Sequence, residues 1–163
     1  MLRVAPQTNE RREEMYTEYI GLTSQKVKNI VERELVRRFA ESIGDSHPIY
    51  IDEETGKHSR FGANIAPPTY PRVFRTGAIE GLKLPLKGLI HGEQIYHYER
   101  PLLVGEEVYC YSKIEDYYEK EGSTGKMGFL KMKRYGEDSD GHLIFTEESI
   151  TIITETVRRS LNV

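Results

Sequence analysis

The sequence predicts an α+β domain in which a largely antiparallel sheet packs around an apolar helix. Three observations carry this prediction. Helical periodicity is confined to the first half of the chain, whereas from residue 89 onward the texture changes to runs rich in Ile, Val, Tyr, Phe and Thr that often alternate with polar residues. Turns rich in Gly and charged residues separate those runs, each short enough for a hairpin. Helices first and strands afterwards is the α+β order, and one helix is apolar enough to lie inside the curve of a sheet.

Each element has its own signal. Thr8 or Asn9 caps a short helix in which Met15, Tyr16, Tyr19 and Ile20 share a face and Gly21 ends the run. Residues 25–30 read as a strand. In VERELVRRFAESIG, residues 31–44, an apolar stripe of Leu35, Val36, Phe39, Ala40 and Ile43 faces away from the charges, and Gly44 stops the helix. Residues 45–70 are irregular, with Pro48, Pro67 and Pro68, and hold one helical turn in DEETGKHSR. Thr69 as N-cap and Pro71 in the first turn start a second helix over residues 70–82, carrying Val73, Phe74, Ala78 and Ile79. Strands follow at 89–99, 106–118, 125–135 and 143–155 and form a meander.

Composition narrows the function classes. The 163 residues amount to one domain, 1–163, with a modest core: 37% are hydrophobic, eleven are Tyr and none is Trp. A net charge of −3 argues against nucleic acid and anionic membrane as partners, since a phosphate-binding domain carries a clear basic excess. Cys110 is the one cysteine, which excludes an internal disulfide and fits a reducing compartment. Mixed charges occupy the N-terminal stretch where a secretory signal needs an apolar run, and no apolar stretch is long enough for a bilayer; the expected location is cytoplasmic.

Several motifs dissolve on inspection. Asp138, Asp140, Gly141 and Glu147 match part of a calcium-loop spacing, but the first ligand position is Gly136 and the flanks are strands. The turn 122–126 lacks the first Gly and the Ser or Thr of a phosphate loop. His47, His58, His91, His97 and His142 show no zinc spacing, so neither metal nor cofactor is expected. Cys110, between two Tyr in a strand, reads as a buried inert thiol. Residues 42–70 concentrate the remaining chemistry. Asp45 and His47 sit together on a constrained loop after Gly44, where they can share a water as general base and acid, and the start of the following helix offers N–H groups to an oxyanion. The alternative is a helix C-cap followed by an Asx-turn, with Asp45 bonded to its own loop.

FAESIGDSHPIY, FGANIAPPTYPRVF and HGEQIYHYERPLLVGEEVYCYSKI, in that order, resemble the MaoC-like dehydratase family, above all its N-terminal-domain branch, over residues 19–154. The resemblance implies the hot-dog fold, a curved antiparallel sheet wrapped around a central helix. It also implies dimers joined edge to edge with acyl-thioester sites between them. Active members are similar to (R)-specific enoyl-CoA hydratases, whose motif runs Gly-Asp-x-Asn-Pro-x-His. Gly44, Asp45 and Pro48 match it, His47 stands at the Asn position, and Tyr50 occupies the place of the catalytic His. A Tyr with a pKa near 10 is a poor replacement for an imidazole near 6.5.

The expected function is therefore a subunit of a hydro-lyase acting on 3-hydroxyacyl or 2-enoyl thioesters of CoA or an acyl-carrier protein. It acts as the substrate-binding half of a homodimer or of a heterodimer with a catalytic hot-dog subunit. Asp45 and His47 are the catalytic candidates; Tyr50, Pro68, Thr69 and Tyr70 are the substrate-binding ones. Pro67 and Pro68 carry no N–H, so an oxyanion donor must come from Thr69 or Tyr70. Three alternatives stay open: a self-sufficient hydratase using Asp45 and His47, a non-catalytic acyl-CoA binding module, and a hot-dog thioesterase.

Overall fold

The computed structural model describes residues 15–123 and 125–161. Of the first expected helix, a 3-10 turn at Thr17–Tyr19 lies within these residues, and its Thr8 or Asn9 cap lies outside them. Strand β1 (Val27–Ile30) leads into α1 (Arg33–Ser42), followed by α2 (Pro48–Ile51) and α3 (Glu53–His58). The strands β2 (Leu89–Tyr98), β3 (Glu107–Gly122), β4 (Gly125–Glu137) and β5 (Leu143–Ile153) come next, and α4 (Glu155–Leu161) follows them. All four long strands fall where alternation placed them. Among the described residues no helix is long and apolar enough to cross a membrane.

The five strands form one antiparallel sheet in the order β1-β3-β4-β5-β2. Strands β3 to β5 are the expected meander, but β2 departs from it. Instead of pairing with β3 it lies on the far edge beside β5, opposite ends matching as Leu89 with Ile153 and Tyr98 with Phe145. The reason is that residues 99–106 are not a turn. Leu102 is 1% exposed, its carbonyl accepts from the Ala66 amide, and the Val104 amide donates to the Asn64 carbonyl. This stitched segment carries the chain across the end of the sheet to its other side.

A second difference concerns residues 70–82. They form a four-residue 3-10 turn at Tyr70–Val73 and then extended chain, not a helix. Two features oppose helix here. Gly77 passes so close to β1's approach that an added Cβ would lie 2.5 Å from the Gln25 carbonyl oxygen, and glycine itself disfavours helix by about 1 kcal/mol relative to Ala. Arg134 on β4 supplies donors for carbonyls that a helix would have satisfied internally: it donates to Phe74 O (2.6 Å) and Pro71 O (3.4 Å). Tyr70, Phe74 and Ile79 are nonetheless buried, so the segment fills the core as irregular chain.

The core divides into two apolar clusters. One gathers Val31, Val36, Tyr70, Phe74, Leu102, Val108 and Phe145; the other gathers Tyr16, Ile79, Ile114, Tyr117, Leu130 and Ile153. On the same sheet, Glu147 is completely buried. It accepts from Arg72 (3.0 Å), Gln94 (2.9 Å) and Arg134 (2.9 Å). Three donors make a buried carboxylate tolerable, where an unpaired one would be expelled or protonated.

Candidate functional site

Helix α1 ends in a Schellman motif. Gly44 takes φ +72°, its amide donates to Glu41 O (3.1 Å), and the Asp45 amide donates to Ala40 O (2.9 Å). This fixes the Asp45 backbone while its side chain remains exposed. Two residues on, His47 caps α2: its Nδ1 accepts from the Ile49 amide at 3.1 Å, with Pro48 in the first turn. The His47 ring meets Tyr50 edge-on at 5.9 Å.

Tyr50 is half-buried and packs against the first apolar cluster. Burial, and then the nearby Asp45 carboxylate, hold its phenol above the ordinary value of 10. It therefore stays protonated at neutral pH and is a hydrogen-bond donor to a ligand, not a base. The loop bearing these groups is held by Asn64, which is 2% exposed. Its amide donates to Ile49 O (2.8 Å) and Asp52 O (2.7 Å), and its oxygen accepts from Arg33 (2.7 Å). Asp52 caps α3 through the Thr55 amide (2.7 Å), the helical turn expected there.

Of the expected binding residues, Tyr50 and Pro68 line one pocket of about 290 Å³, together with Ala66, Tyr98, Arg100 and Leu102. Thr69 and Tyr70 are not among its walls. The Tyr70 amide is spent on Pro67 O (2.9 Å) and is not available to an oxyanion. Tyr98, which sequence reasoning passed over, ties the pocket together by donating from Oη to Pro68 O at 2.6 Å. Its alternation within β2 was the available signal, because it places Tyr98 on the face of Tyr96 and Gln94. Arg100 is engaged by Glu106 (2.8 Å).

Two other candidates resolve into structure. Cys110 is 1% exposed and burial pushes its thiol up to about 12, as expected of an inert core residue. Asp138, Asp140 and His142 each place one potential ligand atom within 4.8 Å of the others. The Asp138 carboxylate, however, accepts from the Asp140 and His142 amides, the pattern of a hairpin turn.

Residues 18–147 match the family model of the FAS1-like dehydratase domain region. A UPF0336 protein of Streptomyces griseus is 31% identical over 136 residues, 80% of this chain and 85% of the relative. One of Saccharopolyspora erythraea is 26% identical over 132 residues, covering 77% and 82%. Among solved structures, a chain of the C-terminally truncated HadBC (3R-hydroxyacyl-ACP dehydratase) complex of Mycobacterium tuberculosis superposes with a TM-score of 0.65. It is 19% identical and the match covers 82% of this chain and 96% of that one. The ChsH1-ChsH2 complex of the same organism gives 0.66 at 19% identity, covering 80% and 82%. The (R)-hydratase of A. caviae gives 0.60 at 19% identity, covering 82% and 96%. The fold is that of the hot-dog dehydratases and hydratases.

Proposed function

Because this chain belongs to the family of the FAS1-like dehydratase domain region, we propose that it is a subunit of a hydro-lyase acting on 3-hydroxyacyl and 2-enoyl thioesters, serving as the substrate-binding half. The observation that carries this reading is that a phenol, Tyr50, stands where the motif has its His, near the Asp45 carboxylate, while the His47 ring is committed to capping α2. Adding water to an enoyl thioester requires a base that takes a proton from the water as its oxygen bonds to C3, and an acid that protonates C2. A phenol held above pKa 10 does not take that proton at neutral pH. Asp45 and Tyr50 instead present an acceptor and a donor that orient polar groups of the substrate.

The pocket of Tyr50, Pro68 and Tyr98 offers an apolar wall for the thioester arm, of CoA or of an acyl-carrier protein. The imidazole comes from a second hot-dog subunit. Strand β2 supports such an assembly, being a ten-residue edge strand paired on one side within this chain. On this reading the protein works as a single domain in the cytoplasm, as a homodimer or with a catalytic hot-dog partner.

Hydration of crotonyl-CoA, followed by loss of the enoyl absorbance, tests the reading. The purified chain is expected to bind the thioester without turnover, and Asp45→Asn is expected to weaken binding while leaving stability within about 0.5 kcal/mol. Turnover by the chain alone that Asp45→Asn or His47→Ala abolishes would replace this reading with a self-sufficient hydratase.

A further inference from the structure

Strand β2 is one edge of the sheet, and among the described residues no other strand pairs with its free side. Edge strands are commonly kept short or protected by Lys or Pro; β2 spans ten residues and has neither, with Glu93 as its one formal charge. The opposite edge, β1, has four residues and carries Lys28. The Glu99 amide donates to Ile144 O (2.9 Å), so the alternation of an antiparallel ladder turns the main-chain groups of Gln94, Tyr96 and Tyr98 to the free side of β2. Tyr96 stands opposite the buried Glu147 and faces inward with Gln94, whereas Glu93, Ile95 and His97 share the outer face with Glu148. Ile95 is 37% exposed there.

Two independent features of this edge fit a copy of itself. The first is the outer face. On a two-fold axis through Ile95, an antiparallel partner strand sets Glu93 opposite His97 and Ile95 opposite its own copy. The neighbouring registers do not match: an axis at Gln94 sets Glu93 against Ile95, and one at Tyr96 sets Glu93 against Glu99, like charges directly opposite. The second is a pair of unfilled polar atoms on the inner face. The Gln94 amide nitrogen donates to Glu147 (2.9 Å) and to Glu148 O (3.3 Å), while its Oε1 is buried with no hydrogen-bond partner among the described residues. The Tyr96 hydroxyl is likewise buried without one, and burial keeps it protonated, with its pKa pushed up to about 12. Such atoms are costly unless something fills their valence. The axis through Ile95 sets Gln94 opposite Tyr96 of the second copy, an acceptor against a donor.

We propose that β2 pairs with β2 of a second copy of this chain on a two-fold axis through Ile95, so that the protein caps its own assembly edge. Gln94 and Tyr96 of the two copies exchange main-chain hydrogen bonds, and the two Ile95 residues form a non-hydrogen-bonded pair on the axis. The seam stands on the geometry of β2 alone; its consequence rests on the hydro-lyase reading. The second copy also carries Tyr50 at the position of the motif His, so the self-paired dimer binds thioester without turning it over, and a catalytic subunit reaches β2 only by displacing one copy.

Cysteine cross-linking of the full chain, with sedimentation of the wild type, tests the proposal. The wild type is expected to form a reversible dimer. Ile95→Cys is expected to give a disulfide-linked dimer on oxidation, because Cα atoms of a non-hydrogen-bonded pair lie about 4.5 Å apart, within the span of a disulfide. Glu93→Cys is expected to give none, since the axis holds its two copies roughly 14 Å apart; Cys110 is 1% exposed and does not compete. Ile95→Lys sets like charges on the axis and should weaken the dimer about tenfold. A strand peptide of residues 89–99 should bind the reduced Ile95→Cys protein diluted to monomer and not its oxidised dimer. A wild type that stays monomeric at roughly 100 μM overturns the proposal. So does cross-linking at Glu93→Cys equal to that at Ile95→Cys, an undiminished Ile95→Lys dimer, or peptide uptake by the oxidised dimer. Crotonyl-CoA binding separates the two readings: a monomer that binds it removes the seam alone, and a dimer that does not removes the hydro-lyase reading alone.

Discussion

Asp45 and Glu147 are both carboxylates with a Tyr nearby, yet the structure treats them in opposite ways. Asp45 is exposed, its backbone clamped by a Schellman motif and its side chain available, with a protonated Tyr50 beside it. Glu147 is sealed from solvent and holds three donors brought from β2, β4 and the turn after Pro71. The difference teaches where to look for chemistry in this molecule. A carboxylate whose lone pairs are filled by Arg72, Arg134 and Gln94 organises the fold, whereas one fixed by its main chain alone is available to a ligand.

The largest expected effect lies at the buried end of this comparison. Glu147→Ala leaves the partly buried Arg134 without its counter-charge and should destabilise the protein by about 3 kcal/mol in urea unfolding; a loss below about 1 kcal/mol would show that the cluster relaxes around the gap. At the exposed end, His47→Ala removes the side-chain cap of α2 and should lower stability by about 1 kcal/mol. Thioester binding that survives this substitution sharpens the contrast between a structural His47 and a ligand-facing Asp45. The smallest effect belongs to Glu148, which neighbours Glu147 and points to the other face of the sheet. Lys133 and Lys131 hold its carboxyl at about 2. A lowered folded pKa contributes stability that is fully present above the unfolded value of about 4.3 and is lost as pH falls toward about 2. Acid unfolding of Glu148→Gln should therefore show a shallower fall in stability between pH 4.3 and 2 than the wild type; identical profiles would mean that the pair is fully screened.

Much of the architecture was legible because it rests on local signals. Alternation marked four strands, the stripe of Leu35, Val36, Phe39 and Ala40 marked α1, and Gly44 marked its end through the positive φ that a Schellman motif requires. The candidate site was legible as far as Asp45, Tyr50 and Pro68, since loop constraint and family motif lie in the sequence itself. Tyr98 escaped notice because its link to Pro68 spans thirty residues.

What the sequence by itself determined, then, is the set of elements whose signals lie within a few residues, together with the position of the candidate loop after Gly44. Tertiary structure decided the rest. A run with good helical credentials after Thr69 became turn and extended chain because Gly77 must pass against Gln25 and because Arg134, some sixty residues away, takes the carbonyls of the turn. Glu147 lies in an apparently ordinary polar stretch and became, among the described residues, the most deeply buried charge because its partners converge from three other segments. Strand β2 moved to the far edge because residues 99–106 bond to residues 64–66. In each case the deciding interaction is long-range. Backbone polar groups and buried charges take whichever partners satisfy them in the folded state, and local propensity prevails only where no such partner competes.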